Sequence, residues 1–116
     1  MREQFIEIRE NRYKVAYVSD RLEQGRGMSG LDSFDPYAGM LFDFAVLSNP
    51  TMTPRGLKIV VDLAFIKEDG TIVQLTRLDP SNGLTRASEN KVRYALEVPK
   101  GFFEENNIKV GDTVVL

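Results

Sequence analysis

Cysteine, histidine and tryptophan are all missing from this chain of 116 residues. Without cysteine the protein has no disulfide, no thiol nucleophile, no iron–sulfur cluster and no thiolate metal site. Without histidine it lacks the commonest transition-metal ligand and the usual general base at neutral pH. We therefore predict neither a cofactor nor a metal. A hydrolase built on this chain would have to rely on carboxylates, lysine, tyrosine or hydroxyls.

An excess of charge of one sign is missing as well. Lysine and arginine number 15 and aspartate and glutamate number 17, for a formal net charge of -2. No overall electrostatic field therefore attracts nucleic acid. No run of about eighteen apolar residues occurs, and Glu3 stands where a signal peptide begins its apolar core. We expect a cytoplasmic protein with no signal peptide, no transmembrane segment and no nucleic-acid or membrane partner.

The overall composition is that of a soluble globular domain, with 42% hydrophobic and 28% charged residues. At this length one hydrophobic core is large enough to be stable without cross-links. We therefore treat residues 1–116 as a single domain.

The clearest pattern is an alternation of apolar and other residues near the middle of the chain. From Leu57 to Phe65 an apolar residue stands at every second position, which predicts a β-strand with one buried face. Gly70 suits the positive φ of a tight turn, and residues 71–78 return as a second strand. The predicted structure is a β-hairpin.

The register of this hairpin depends on the length of its turn. A two-residue turn places Phe65 opposite Gln74 and so mixes apolar and polar side chains on one face. A three-residue turn that ends in a glycine bulge pairs apolar residues instead, and each burial contributes roughly 1.5–3 kcal/mol. We therefore predict the bulged turn. The pairs that it predicts are Phe65 with Val73, Leu63 with Leu75, and Ile66 with Ile72.

Similar patterns predict the remaining elements. Further strands are expected over residues 5–8, 13–18, 37–44, 92–98 and 113–116. Asp20 and Glu23 form a helix-capping pattern, and Gly25 and Gly27 end that helix within about two turns. A second short helix is expected over residues 101–106. We predict an α+β, mainly β fold, with about seven strands in a mixed or antiparallel barrel-like sheet and two short helices.

Several stretches together resemble the domain of unknown function 192 family, a group of small, mostly β proteins. They are Gly25-Arg26-Gly27-Met28, residues 38–44, Arg55-Gly56 with residues 62–66, Asp69-Gly70, residues 93–99, Gly101, residues 108–112 and Val114. Their order and spacing match from about Tyr13 to the C-terminus, so residues 1–12 form an N-terminal strand extension. The resemblance implies the fold and no particular activity.

One departure from the family concerns the segment ahead of the main strand. Many members carry a Met-Lys-Asn-Thr run there, whereas this chain reads Pro54-Arg55-Gly56-Leu57. If the polar run forms a site in the relatives, this chain keeps only the basic charge of Arg55.

Asp62 is the first candidate for a functional side chain, because it interrupts an apolar run. In one interpretation it points into a pocket and pairs with Arg55 or Arg77, where it binds or polarises a ligand. In the other it faces solvent, across from Thr76 of the neighbouring strand. Asp62 is also the sole candidate for a catalytic residue.

Arginines form the second set of candidates. Arg26, Arg55 and Arg77 stand at the ends of predicted elements, where their side chains can converge on a phosphate or a carboxylate. Arg86 and Arg93 belong to the same candidate set, of which the first three are the best subset. The alternative is that all five are ordinary charges on β surfaces and edge strands. In the first interpretation the ligand-binding residues are Arg26, Arg55, Arg77 and Asp62.

The strand over residues 92–98 is expected to have one buried face and one partly charged face. Arg93 and Glu97 belong to the charged face. No role in a site is predicted for Glu97.

Three functions are compatible with these features. The first is a non-enzymatic accessory or binding module, in which the loop over residues 48–56, which contains Arg55, and the loop over residues 79–90 form one recognition surface. Its partner would be a small anionic ligand or a protein. The second is a small hydrolase or transferase that acts on an anionic substrate through Asp62 and nearby arginines. The third is a structural subunit of a larger assembly, cellular or phage-encoded. We favour the first, in a monomer or a small homo-oligomer.

Overall fold

A computed structural model describes residues 2–116, which form nine strands and two short helices. In chain order these are β1 (Arg2–Ile8), β2 (Asn11–Val18), α1 (Arg21–Arg26), β3 (Gly39–Ser48), β4 (Thr51–Met52), β5 (Val61–Ile66), β6 (Ile72–Leu78), β7 (Arg86–Ala87), β8 (Val92–Pro99), α2 (Phe102–Glu105) and β9 (Val114–Val115). No helix within the described residues has the length and apolar character needed to cross a bilayer.

The main sheet has seven strands in the order β6-β5-β8-β3-β2-β1-β9, and β4 pairs with β7 in a separate small sheet. The main sheet is mixed, because β2 and β3 run parallel while its other neighbouring strands run antiparallel. Its seven strands correspond to the seven predicted from the sequence. The prediction of a mainly β fold with two short helices is therefore confirmed.

The main sheet curls into a half-barrel whose two edges meet at one end. The Val114 amide donates to the Gly70 carbonyl at 2.7 Å, and the Ile72 amide donates to the Asp112 carbonyl at 2.9 Å. A Cβ atom on Gly70 would lie 2.3 Å from the Val114 carbonyl oxygen. Glycine at this position therefore permits the close packing of β9 as well as the conformation of the turn.

Both faces of the main sheet are buried, in two separate clusters. The inner core draws on α2 and on all seven strands, as the interior of a curled sheet does. Its members are Ile6, Ile8, Val15, Leu41, Ala64, Ile66, Ile72, Leu96, Val98, Phe103, Ile108 and Val114. The outer core lies on the opposite face, where the loops before β3 and β5 cover the sheet. Its members are Ala16, Val18, Met28, Phe34, Met40, Phe42, Val61, Leu63, Phe65, Leu78, Val92 and Ala95.

The turn of the central hairpin has the predicted length. Ile66 pairs with Ile72, as predicted. The Lys67 amide donates to the Thr71 carbonyl at 2.9 Å, and Gly70 has a φ of +92°. Residues 68–70 therefore form the three-residue turn that the sequence predicts.

Beyond the turn the predicted register is wrong. Phe65 lies opposite Gln74 and Leu63 lies opposite Thr76, because Val73 forms a β-bulge. The prediction assumed one buried face, whereas β5 is buried on both faces. Apolar pairing therefore does not select between the two registers. Gln74 is accommodated beside Phe65 because its side-chain amide forms two hydrogen bonds with the backbone of β7 and the residues that follow.

Candidate functional site

Glu97 is a buried acid in the middle of the main sheet. It lies on β8 between Met40 of β3 and Leu63 of β5, and strand alternation directs its side chain to the outer core with Ala95. It is only 4% exposed. Among residues 2–116, its Oε1 is the sole buried side-chain oxygen or nitrogen without a hydrogen-bond partner. Burial raises the pKa of Glu97 to about 7, because the charged form loses its hydration.

A cavity of about 200 Å³ lies between the end of α1, β4 and Glu97, and we refer to it as the Glu97 cavity. Met28, Phe42 and Leu57 form its apolar lining. Thr51 and Thr53 add hydroxyl groups from the segment around β4. The cavity thus joins a buried carboxyl group to a small space with mixed polar and apolar walls.

The helix α1 supplies one wall of the cavity. Asp20 caps the helix by accepting a hydrogen bond from the Glu23 amide at 3.0 Å, which confirms the predicted capping pattern. The helix ends at Gly27, with a φ of +45°. A Cβ atom on Gly27 would lie 3.3 Å from Cζ of Phe42, so the glycine lets the turn pack closely on the sheet. Arg26 is thereby placed at the cavity.

The opposite wall is the Arg55 loop, residues 53–57, and hydrogen bonds tie the two walls together. The Gly30 amide donates to the Gly56 carbonyl at 3.0 Å, and the Ser29 hydroxyl donates to the Arg55 carbonyl at 3.4 Å. Gly56 has a φ of +82°, and a Cβ atom there would lie 2.7 Å from Oγ of Ser29. Glycine at this position therefore permits the close approach of the loops.

Two arginines predicted as ligand-binding residues line this cavity. Arg26 comes from the end of α1 and Arg55 from the opposite loop, and both side chains are exposed. Within residues 2–116, neither guanidinium forms an ion pair. Their positive charge is available at the rim of the cavity, while the acid of Glu97 lies at its floor.

A second opening adjoins the Arg55 loop. A cleft of about 500 Å³ separates this loop from the turn that contains Pro80 and Gly83. The pairing of β4 with β7 holds the two segments beside each other. The two loops that the sequence predicts as one recognition surface are therefore neighbours.

Asp62 and Arg77, the other two predicted ligand-binding residues, lie elsewhere. Asp62 is buried and faces Arg77, so the interpretation that it faces solvent across from Thr76 is wrong. Its Oδ1 accepts from Nε of Arg77 at 2.6 Å, and its Oδ2 accepts from the Gly101 amide at 2.8 Å. The hydrogen bond with Asp62 raises the pKa of Arg77. The pair lines a shallow depression of about 440 Å³ with Arg86, which Arg26 and Arg55 do not line.

Asp43 is a third buried acid, and the sequence analysis did not single it out. It accepts hydrogen bonds from Nε of Arg93 at 3.0 Å, from the Ala45 amide at 2.8 Å and from the Tyr17 hydroxyl. Burial by itself raises the pKa of Asp43, but these hydrogen bonds together hold that pKa below the ordinary aspartate value. Burial and the hydrogen bond to Asp43 raise the pKa of Tyr17. This carboxylate is fully engaged by the protein.

Glu97 was missed because the sequence places it on a partly charged strand face. That prediction is wrong, since loops cover the face and bury the side chain. A usable signal was the position of Glu97 between Leu96 and Val98, in a strand that has apolar residues at both odd and even positions and therefore on both faces. Such a strand belongs to the centre of a sheet, where a charge on either face is buried.

Comparison with known proteins identifies the family and the fold. The family model of the domain of unknown function 192, described as an uncharacterized ACR, matches residues 4–116. The match begins earlier than residue 13 and includes most of β1. No curated protein matches the chain.

Two solved structures resemble this one over nearly its whole length. A protein from Sinorhizobium meliloti, described as a candidate transcription regulator, has a TM-score of 0.91 and 24% sequence identity, covering 97% of this chain and 92% of that chain. A protein of unknown function from Novosphingobium aromaticivorans has a TM-score of 0.88 and 18% identity, covering 98% and 85%. At these identities the likeness supports the fold alone.

Proposed function

This chain belongs to the domain of unknown function 192 family, and from that premise we propose that it is a non-enzymatic module that binds a small polar ligand in the Glu97 cavity. The observation that carries the proposal is the unpartnered Oε1 of Glu97 beside a cavity of about 200 Å³. A buried polar atom without a hydrogen bond costs about 1–3 kcal/mol. A ligand that donates a hydrogen bond to Oε1 removes this cost and gains affinity by doing so.

The state of Asp62 supports binding over catalysis. Both of its carboxylate oxygens accept hydrogen bonds from Arg77, and Oδ2 also accepts from the Gly101 amide. Neither oxygen of this carboxylate is free for a substrate, because each already accepts at least one hydrogen bond from the protein. The hydrolase or transferase function therefore has less support than the binding module.

The cleft between the Arg55 loop and the Pro80 turn extends the proposed site to the protein surface. A bound ligand that reaches the rim would contact the Arg55 loop, which also borders this cleft. A partner that binds the Arg55 loop from this cleft would therefore contact the same residues as the bound ligand. The description of the Sinorhizobium neighbour refers to transcription, but 24% identity supports only the fold, and a formal net charge of -2 does not favour nucleic acid.

A thermal-shift screen tests this function. The panel comprises small amines, amino acids, carboxylates, phosphate esters and sugars, each added to the wild type and to the Glu97→Met variant. We expect at least one compound to raise the Tm of the wild type, since a ligand at about a hundred times its Kd stabilises the folded state by about 2.7 kcal/mol. The shift should disappear in Glu97→Met, which has no oxygen to accept the hydrogen bond, and weaken in Arg55→Ala.

The exposed Glu105 of α2 provides the matched control. Glu105→Met removes the same group away from the cavity and should leave the shift unchanged, and circular dichroism shows whether each variant is folded. A compound that stabilises folded Glu97→Met as much as the wild type contradicts the site. The absence of any stabilising compound from the whole panel contradicts the function.

A further inference from the structure

The Glu97 cavity carries opposite charges at its two ends. Glu97 is at the floor, and Arg26 and Arg55 are at the rim. The other side chains that line the cavity from α1, β3 and the segment around β4 are uncharged. The polarity of the cavity is therefore set by one acid and two arginines.

Part of the wall between the two ends is apolar. Met28 and Phe42 belong to the outer core, and Met52 and Leu57 pack against it, while Thr51 and Thr53 supply the hydroxyl groups of the wall. A polar group placed against the four apolar side chains would lose hydration without gaining a partner. A ligand that covers these side chains therefore has an apolar segment between its polar ends.

The floor favours a cationic group over a neutral donor. A protonated amine forms a charge-assisted hydrogen bond with a carboxylate, and such bonds are about twice as strong as neutral ones. The ion pair formed in a buried site is favourable when hydrogen bonds complete it. Because burial raises the pKa of Glu97 to about 7, the floor can release its proton near neutral pH when a cation arrives.

The rim favours an anionic group. The guanidinium groups of Arg26 and Arg55 form no ion pair within residues 2–116. Guanidinium groups bind carboxylates and phosphates through paired hydrogen bonds. An acidic group on the ligand would meet these arginines from opposite walls of the cavity.

We infer that the ligand is a small zwitterion, with a protonated amine on Glu97, an acidic group at Arg26 and Arg55, and a short apolar chain between them. This inference rests on the proposed function, since it specifies the ligand of the same site. The cavity of about 200 Å³ is smaller than the pockets of roughly 300–1,000 Å³ that hold drug-sized ligands. The ligand is therefore of amino-acid size.

Calorimetric titration with matched linear compounds tests the inference. The probes are ω-amino acids of three to six carbons, together with the alkylamine, the carboxylate and the ω-hydroxy acid of each length. Slightly above neutral pH, we expect one ω-amino acid to bind at least about tenfold more tightly than its three analogues, a difference of about 1.4 kcal/mol. Four chain lengths are needed because the tightest-binding compound must be long enough to contact Glu97 and the two arginines at the same time.

Variants assign the two ends separately. In Glu97→Gln the preference for the ω-amino acid over the ω-hydroxy acid should disappear, whereas in Arg55→Ala the preference over the alkylamine should disappear. Arg21→Ala is the matched control, because Arg21 lies on α1 and does not line the cavity. It should leave all the affinities unchanged.

The outcomes separate this inference from the function on which it rests. If the carboxylate or the ω-hydroxy acid binds as tightly as the ω-amino acid and loses affinity in Glu97→Met, the inference of a zwitterionic ligand is wrong and the binding site stands. If none of the probes binds, the inference of a zwitterionic ligand is again wrong. The function then depends on the wider thermal-shift panel, which fails only if no compound stabilises the wild type through Glu97.

Discussion

The buried acids Asp43 and Glu97 lie on opposite faces of the same sheet and differ in how they are satisfied. Strand alternation places Asp43 on the inner face with Leu41, where a guanidinium, a hydroxyl and a backbone amide donate to it. Glu97 lies on the outer face, and its Oε1 has no partner among residues 2–116. Both residues are nearly inaccessible to solvent, at 7% and 4% exposure.

This difference in hydrogen bonding indicates that Asp43 stabilises the fold and that Glu97 destabilises it. The hydrogen bonds at Asp43 compensate for its desolvation and join β2, β3 and β8. Nothing comparable compensates for the desolvation of Glu97. Residues that destabilise the folded protein in this way are concentrated at functional sites, where a ligand restores the missing interactions.

The largest effect is expected from removing the satisfied acid. Asp43→Ala leaves Arg93, the Tyr17 hydroxyl and the Ala45 amide without their common partner. We expect the free energy of unfolding to fall by about 3–5 kcal/mol, as when one partner of a buried ion pair is removed. Urea denaturation measures this loss. Asp32→Ala, at an exposed acid with a long ion pair, should change stability by less than about 0.5 kcal/mol. A similar small loss for Asp43→Ala contradicts the comparison.

The pH dependence of stability should distinguish the two acids by its sign. Glu97 has a pKa of about 7 in the folded protein against 4.5 in the unfolded chain, so the folded state holds the proton more tightly. Its contribution is full below pH 4.5 and is lost as the pH rises to about 7, a change of roughly 3 kcal/mol. Asp43 has a lowered pKa, so its contribution is lost only as the pH falls below 3.8.

The measurement is the difference in unfolding free energy between the wild type and Glu97→Gln across this pH range. Glutamine does not titrate, so the difference isolates the proton on Glu97. We expect the wild type to lose stability relative to the variant as the pH rises. Parallel profiles for the two proteins would show that Glu97 has an ordinary pKa and is hydrated.

A smaller effect of opposite direction is expected from replacing the unsatisfied acid. Glu97→Met has a similar volume and removes the buried polar group, so it should raise the free energy of unfolding by roughly 1–3 kcal/mol above neutral pH. The same variant should bind none of the ligands found for the wild type. Glu105→Met, on the surface of α2, is the control and should be neutral within about 0.5 kcal/mol. Destabilisation by Glu97→Met indicates that the carboxyl group has a structural role.

The smallest effect is expected at Asp62, the acid that the sequence singled out. Arg77→Ala removes a guanidinium that is 45% exposed, and the Gly101 amide still donates to Asp62. We expect a loss of about 1 kcal/mol that shrinks further in high salt. Thermal denaturation with and without added salt measures it. Loss of ligand binding in this variant would place the site at Asp62 and not at Glu97.

Local patterns were sufficient for the elements of the fold. Alternation predicted the seven main strands, and Asp20 with Glu23 predicted the start of α1, because these signals depend on neighbours a few residues away. Local patterns did not predict the register of the hairpin between β5 and β6. The bulge at Val73 arises where both faces of β5 are buried, and that burial depends on loops distant in the sequence.

The residues of the candidate site were likewise predicted in part from local patterns and in part only from the packed structure. Arg26 and Arg55 were found from their positions at the ends of elements, but their convergence on one cavity, apart from Asp62 and Arg77, required the packed loops. Glu97 was overlooked because the loops that bury its strand face are distant in the sequence, and the strand itself offers only the neighbouring Leu96 and Val98 as a signal. The strands, the turns and the types of charged groups follow from local sequence patterns. Which charges are satisfied depends on the packed fold, because a carboxyl group becomes costly or useful only when distant segments exclude water from it.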